Sequence, residues 1–257
     1  MVAQNTRVVR WGVLGTANIA RLVIPAIQQS HNGRVVATAS RDLARAKTFA
    51  AELSVPRAVA SYDELLNDPE IDAVYIPLPN SLHKPWTIRA AQQGKHVLCE
   101  KPLALTASEC DEMIEACDAA RIILMEAFMY RFHPQIHKVR GLIAQGSIGK
   151  VRLIRAAFSY ILADPGDIRR VKELGGGALM DVGCYCVNMA RLMIGTEPAE
   201  VQAMADFGTG SAVDETFVGL MRFPGGELAL FDCSFGYPFR QFVEIVGTEG
   251  VIEMPAP

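Results

Sequence analysis

The chain has 257 residues, 50% hydrophobic and 21% charged, with 25 Lys and Arg against 28 Asp and Glu for a formal net charge of −3. This is globular composition, enough for one large domain or two ordinary ones, and the near balance of charge gives no footprint for nucleic acid or an anionic membrane. No apolar run approaches the roughly 18–20 residues of a membrane span, and Met1–Thr6 lacks the apolar core of a signal peptide, so the expected setting is the cytoplasm and the expected partner a small molecule.

The first strand pattern is Arg7 to Leu14, followed at once by Gly15-Thr16-Ala17-Asn18-Ile19-Ala20 and a helical pattern to Ile27. A strand, a glycine turn and a helix amino terminus form the usual cradle for a dinucleotide pyrophosphate, because free N–H groups and the helix dipole favour an anion there. Only the first glycine of the G-x-G-x-x-G fingerprint is kept, with Ala17 and Ala20 at the other positions, so a plain βα turn is the alternative. The next strand, Arg34 to Ala39, ends in Ser40-Arg41-Asp42. An acid at such a tip would grip the ribose hydroxyls of NAD; a hydroxyl and a guanidinium suit a 2′-phosphate instead, which favours NADP with NAD as the alternative. Asp42 then reads as the N-cap of a helix from Leu43 to Leu53.

Ser61 caps a short helix to Leu66, Ile71 to Ile76 is a strand, and Pro77-Leu78-Pro79 stops it before a helix capped by Asn80 or Ser81 and running to Gln93. The strand Val97-Leu98-Cys99 leads into Glu100-Lys101-Pro102; a helix from Ser108 to Ala119 and a strand at Ile122 to Met125 follow. Such alternation predicts a doubly wound parallel sheet, a Rossmann domain over residues 1–126. Ligands of these sheets bind beyond the carboxyl ends of the strands, so Lys101 is a candidate catalytic group, with Glu100 beside it to hold the ammonium charged; a solvated lysine in a tight loop is the alternative. The Lys101–Pro102 bond is also a place where a cis peptide is cheap.

Past Glu126 the rhythm changes. A helix at Pro134 to Ala144 precedes long strand patterns at Val151–Tyr160, Glu200–Phe207, Thr216–Phe223, Glu227–Phe235 and Gln241–Val246, with hairpin turns read at Pro224-Gly225-Gly226 and Gly236-Tyr237-Pro238. Residues 127–257 are thus expected to form an α+β domain on a mostly antiparallel open sheet. Between its first two strands lies Gly175-Gly176-Gly177 and a helical pattern from Ala178 to Ile194, on which Asp181, Tyr185, Asn188 and Leu192 share a face. The bare glycines suit a backbone that a flat ring must approach, and Asp181 and Tyr185 suit proton handling at a carbinol; a loop and a core helix with a buried Tyr is the alternative. If Tyr185 and Lys101 converge, the ammonium favours phenolate and polarises a carbonyl, and either group can be the immediate proton donor. The six cysteines and five histidines show no zinc spacing, so no metal is expected.

These motifs together resemble the glucose–fructose oxidoreductase / inositol dehydrogenase / MocA family, through Gly15-Thr16-Ala17, Glu100-Lys101-Pro102 and Gly175-Gly176-Gly177-Ala178-Leu179-x-Asp181-x-Gly183-x-Tyr185. Glu126-Ala127-Phe128-Met129-Tyr130-Arg131-Phe132-His133-Pro134 resembles the subgroup with D-xylose and dimeric dihydrodiol dehydrogenases. The resemblance implies an NAD(P)-dependent sugar or diol oxidoreductase with Lys101, Tyr185 and Asp181 catalytic. It implies cofactor contacts from Gly15, Thr16, Ala17, Asn18, Ile19, Ser40, Arg41, Leu78, Pro79, Asn80, His83, Glu100, Lys101 and Arg169. It also implies a homodimer formed through the second sheet. Relatives of this kind run further than Pro257, so part of that sheet and its cover is expected to be absent. The second functional reading is a cofactor-binding sensor, since a galactose-pathway repressor shares the fold.

Overall fold

The structure, a computed structural model, describes residues 7–208 and 211–257; Met1–Thr6, including the segment read for a signal peptide, lies outside the described residues. The chain divides into two compact units at the Ala127–Phe128 bond.

The first unit alternates β1 (Val9–Leu14), α1 (Ala20–Gln29), β2 (Gly33–Ala39), α2 (Leu43–Glu52), β3 (Arg57–Val59), α3 (Tyr62–Leu66), β4 (Ala73–Ile76), α4 (His83–Gln92), β5 (His96–Cys99), α5 (Ala107–Ala119) and β6 (Leu124–Glu126). All six strands pair in parallel in the order β3-β2-β1-β4-β5-β6. The order reverses between β1 and β4, which is where a doubly wound sheet opens a crevice at its carboxyl edge. Helices on both faces leave the central strands no wet side, so Ala73, Val74, Tyr75 and Ile76 are all buried. Asp42 caps α2 through bonds from the N–H groups of Ala44 and Arg45, as its position predicts, and Ser61 and Thr106 cap α3 and α5. α4 instead begins through a 3₁₀ turn, Asn80–Leu82.

The second unit contains α6 (Pro134–Ala144), β7 (Val151–Ile161), α7 (Cys184–Ile194), β8 (Glu200–Asp206), β9 (Thr216–Arg222), β10 (Leu228–Ser234), β11 (Gly236–Gly247) and β12 (Val251–Met254). The sheet runs β12-β11-β7-β10-β9-β8, and every pairing is antiparallel except β7 with β10. The hairpin read at Gly236-Tyr237-Pro238 does not form: Gly236 already pairs with Ile161, so the chain leaves β10 beyond the end of β7 and returns along the other edge of β7. One face of this sheet packs on α6 and α7, with Ile154, Phe231, Cys233 and Ile245 against Ile136, Val139, Cys186 and Met189. Burying one such aliphatic or aromatic side chain contributes about 1.5–3 kcal/mol.

Candidate active site

The turn after β1 is built for close approach. Gly15 has φ +101°, and a Cβ there would lie 3.0 Å from Leu78 Cδ2 and 3.8 Å from the Tyr62 hydroxyl, so the position requires glycine. Its N–H is spent on the carbonyl of Ala39 at 2.8 Å, which fixes the turn to β2. Beyond it Thr16, Ala17, Asn18 and Ile19 lead into α1, whose N-cap residue Ile19 supplies no side-chain hydrogen bond. The N–H groups of Ala20, Arg21 and Leu22 are bonded to the carbonyls of Ala17, Asn18 and Ile19, so what this helix start offers an anion is the positive end of its dipole.

At the tip of β2, Ser40 is buried and its hydroxyl accepts from the Asp42 N–H at 3.2 Å, while Arg41 and Asp42 are exposed, the Asp42 carboxylate serving as the α2 cap and Arg41 carrying the tip's positive charge. Arg41 hydrogen-bonds the hydroxyl of Tyr62; burial nonetheless raises that phenol above its ordinary value, with Arg41 and Arg45 pulling the other way. Tyr62 thus stands between the glycine turn and the guanidinium, a part of the site that sequence reading missed. A glycine turn leading into a helix at the carboxyl edge of the sheet fits a dinucleotide.

Lys101 is delivered by the turn after β5, and that turn is pinned from three sides. The Glu100 carboxylate, buried at the strand end, accepts the hydroxyl of Tyr75 from β4 at 2.6 Å. Glu126, at the end of β6, accepts the Leu103 N–H at 2.8 Å. His83 sets Nδ1 2.8 Å from the Pro102 carbonyl and Nε2 2.8 Å from the Leu78 carbonyl. The Lys101–Pro102 bond is cis. The four hydrogen bonds hold the turn in place, and Lys101 itself is half-buried.

His83 corrects an expectation. A contact along the nicotinamide half needs an accessible ring, but His83 is 0% exposed with both nitrogens against backbone carbonyls. It ties the loop after β4, with Leu78, Pro79 and Asn80, to the loop after β5. Burial and then the Lys101 ammonium push its pKa down, against the two carbonyls.

In the second unit two of the three glycines serve the chain itself. A Cβ on Gly176 would lie 2.3 Å from the Arg169 carbonyl oxygen, and one on Gly177, at φ +120°, 2.2 Å from Asp214 Oδ1. Asp214 then accepts the Leu179 N–H at 2.7 Å, and its carbonyl accepts the Ala178 N–H at 2.8 Å. This carboxylate, 35 residues from Leu179, works as a cap supplied from elsewhere in the chain, and burial raises its pKa against those bonds. The bareness of Gly176 and Gly177 is thus filled by protein.

The helix predicted over Ala178–Ile194 also differs in its first turn, which is a π turn at Leu179–Gly183 before α7 begins. A π turn breaks the α-helical phase, so Asp181 and the residues of α7 meet different neighbours. Asp181 Oδ2 accepts the Tyr160 hydroxyl at 2.6 Å and lies 3.3 Å from Arg169 Nε, while Arg169 is also paired with Asp167 at 3.1 Å. Arg169, expected to be at the cofactor, spends its charge on these two carboxylates. Tyr185 lies in an aromatic nest, with ring centroids 5.3 Å from Phe128, 5.6 Å from Phe158 and 6.0 Å from Tyr130, and its hydroxyl is 3.8 Å from Met129 Sδ. Asn188 accepts the Tyr130 hydroxyl. Tyr185, Tyr130, Phe158 and Met189 line a mainly apolar cleft of about 210 Å³. The candidate groups are thus divided: Lys101 in the first unit, Asp181 and Tyr185 in the second.

A doubly wound dinucleotide domain that carries a pinned Glu-Lys turn, joined to an open-sheet domain with an Asp and a Tyr four residues apart, defines a class of nicotinamide-dependent oxidoreductase. Residues 9–128 match the oxidoreductase family with an NAD-binding Rossmann fold, and residues 136–253 match the GFO/IDH/MocA C-terminal domain. The chain belongs to this GFO/IDH/MocA family of oxidoreductases, in agreement with the motif resemblance, and as an enzyme rather than a sensor. It is 44% identical over 245 residues to a D-xylose 1-dehydrogenase (NADP(+)) of Haloferax volcanii, covering 95% of this chain and 74% of the relative. It is 36% identical over 250 residues to a trans-1,2-dihydrobenzene-1,2-diol dehydrogenase of Xenopus laevis, covering 96% and 75%. A 3-ketoreductase from Actinomadura kijaniata, crystallised with NADP and TDP-benzene, superposes with a TM-score of 0.91 at 33% identity, covering 97% of this chain and 77% of that one. The chain therefore spans about three quarters of the length of these relatives. Among the described residues no helix is long and apolar enough to cross a membrane, and no cluster of side chains could hold a metal.

Proposed function

We propose that the chain is an NADP-preferring dehydrogenase or reductase acting on a carbinol or carbonyl of a sugar or vicinal diol. The observation that carries this reading is the Lys101 turn, held on three sides at the carboxyl edge of a dinucleotide sheet. A lysine carried on a backbone held this way starts from a defined position at the sheet edge, which favours electrostatic preorganisation.

Gly15 to Ile19 hold the pyrophosphate and Arg41 the 2′-phosphate; when bound, the nicotinamide supplies the hydride acceptor or donor. Lys101 is assigned to polarise the substrate oxygen and Tyr185 to take or return the hydroxyl proton. Asp181 accepts a neighbouring substrate hydroxyl, which favours polyols and vicinal diols. In the test, Lys101→Met binds NADPH within about threefold of the wild type by fluorescence titration while turnover falls at least about a thousandfold. A Lys101→Met enzyme that turns over at the wild-type rate would remove the lysine from the mechanism.

The enzyme is also proposed to act in the cytoplasm and as a homodimer. Support for the dimer is the sheet face opposite α6 and α7, where Val218, Leu220, Leu228 and Leu230 are 36–49% exposed side by side on β9 and β10.

A further inference from the structure

Tyr160 is the residue that the catalytic reading leaves without a task. It comes from β7, and its ring is set edge-on against buried Phe235, with centroids 5.6 Å apart at 66°. Its hydroxyl donates to Asp181 Oδ2 at 2.6 Å, and Arg169 Nε reaches the same oxygen at 3.3 Å. Arg169 is in turn braced by Asp167 at 3.1 Å. A carboxylate that accepts a short phenol bond and a guanidinium on one oxygen has its direction fixed and its charged form favoured. Burial, and then the Asp181 charge, push the Tyr160 phenol above its ordinary range, so it stays a donor and does not compete with Tyr185 as a base. The Asp181 side chain remains 14% exposed, so it can still be reached from solvent.

We propose that Tyr160 is a positioning residue of the hydride-transfer site: by donating to Asp181 Oδ2 it holds the carboxylate ready to accept a substrate hydroxyl, with Arg169 as the second anchor. The proposal rests on the function proposed above. It assigns Arg169 to the substrate side of the site, through Asp181, rather than to the cofactor. It also makes the Tyr160 hydroxyl matter for kcat and its pH dependence, while the ring matters only for packing.

The test is Tyr160→Phe, which keeps the ring against Phe235 and removes only the hydroxyl. Turnover is measured with NADP+ and a panel of sugars and diols headed by D-xylose, between about pH 5 and 9. The expected result is NADPH affinity and melting temperature close to wild type, kcat lower by about ten- to a hundredfold, and an acid limb moved to higher pH because the Asp181 carboxylate has lost a donor. Wild-type kcat with an unmoved acid limb overturns the proposal, and so does a lower kcat with an unmoved limb, which marks a merely structural role. A wild-type enzyme inactive on the whole panel counts against the proposed function. In that case the Asp181 carboxyl is followed by ¹³C NMR: a titration moved upward in Tyr160→Phe supports the positioning role, and an unmoved one overturns it.

Discussion

Arg41 stands at the tip of β2 with its charge in solvent and its guanidinium bonded to the Tyr62 hydroxyl. If it binds a 2′-phosphate, Arg41→Ala raises KM for NADP+ by about ten- to a hundredfold, the worth of one charge-assisted contact, and leaves KM for NAD+ nearly unchanged; steady-state kinetics with both cofactors checks this. His83 makes a second prediction. Because its pKa is depressed in the fold, the unfolded chain takes up the proton first as pH falls below about 6.5. Its contribution to stability is complete above that value and drains away as pH drops towards the folded pKa, with a slope of up to about 1.4 kcal/mol per pH unit. Urea midpoints at pH 7.5 and 5.5 should fall less steeply for His83→Gln than for wild type. Asp42 and Lys101 were legible in the sequence because a cap and a strand-end turn are local patterns. Tyr62, Tyr160 and Asp214 were not, because their partners lie tens of residues away, and His83 was misread because nothing in Leu82-His83-Lys84 distinguishes a ligand from a buried tie.

Among the elements, the parallel strands were readable as short apolar runs between capped helices, and β3 was not, because three residues on a sheet edge leave no pattern. The hairpin expected after β10 failed for a different reason: consecutive strands usually pair, but β7 lies between β10 and β11. The π turn at Leu179–Gly183 was hidden because its residues carry ordinary helical spacing; its cause is tertiary, with Asp214 seizing the Leu179 N–H and Tyr160 the Asp181 carboxylate. This segment should therefore be sensitive to Asp214. Asp214→Ala strands the Leu179 N–H and is expected to cost about 1–3 kcal/mol in urea unfolding, whereas Asp206→Ala, on the exposed strand β8, should stay within about 0.5 kcal/mol. Equal effects would mean that Asp214 does not hold the turn.

For the whole molecule, a parallel sheet followed by a mostly antiparallel one was foreseen, since alternation of strand and helix gives way to long strands past Glu126, but five strands were read in each where the structure has six. What composition could not reveal is the outward apolar face of β9 and β10. If that face joins two copies, Leu220→Glu with Leu230→Glu turns a dimer into a monomer by analytical ultracentrifugation; a wild-type monomer at micromolar concentration would rule the interface out. The proposed hydride transfer needs both Lys101 and Tyr185. Groups that act as a unit lose their effect together, so single and double substitutions are strongly non-additive. The most direct measurement is the cycle of Lys101→Met, Tyr185→Phe and the double variant, read as kcat for NADP+-dependent oxidation of D-xylose or a vicinal diol. The account predicts that each single variant loses at least about a thousandfold and that the double variant loses little more. Losses that multiply, or a single variant with wild-type kcat, would contradict it.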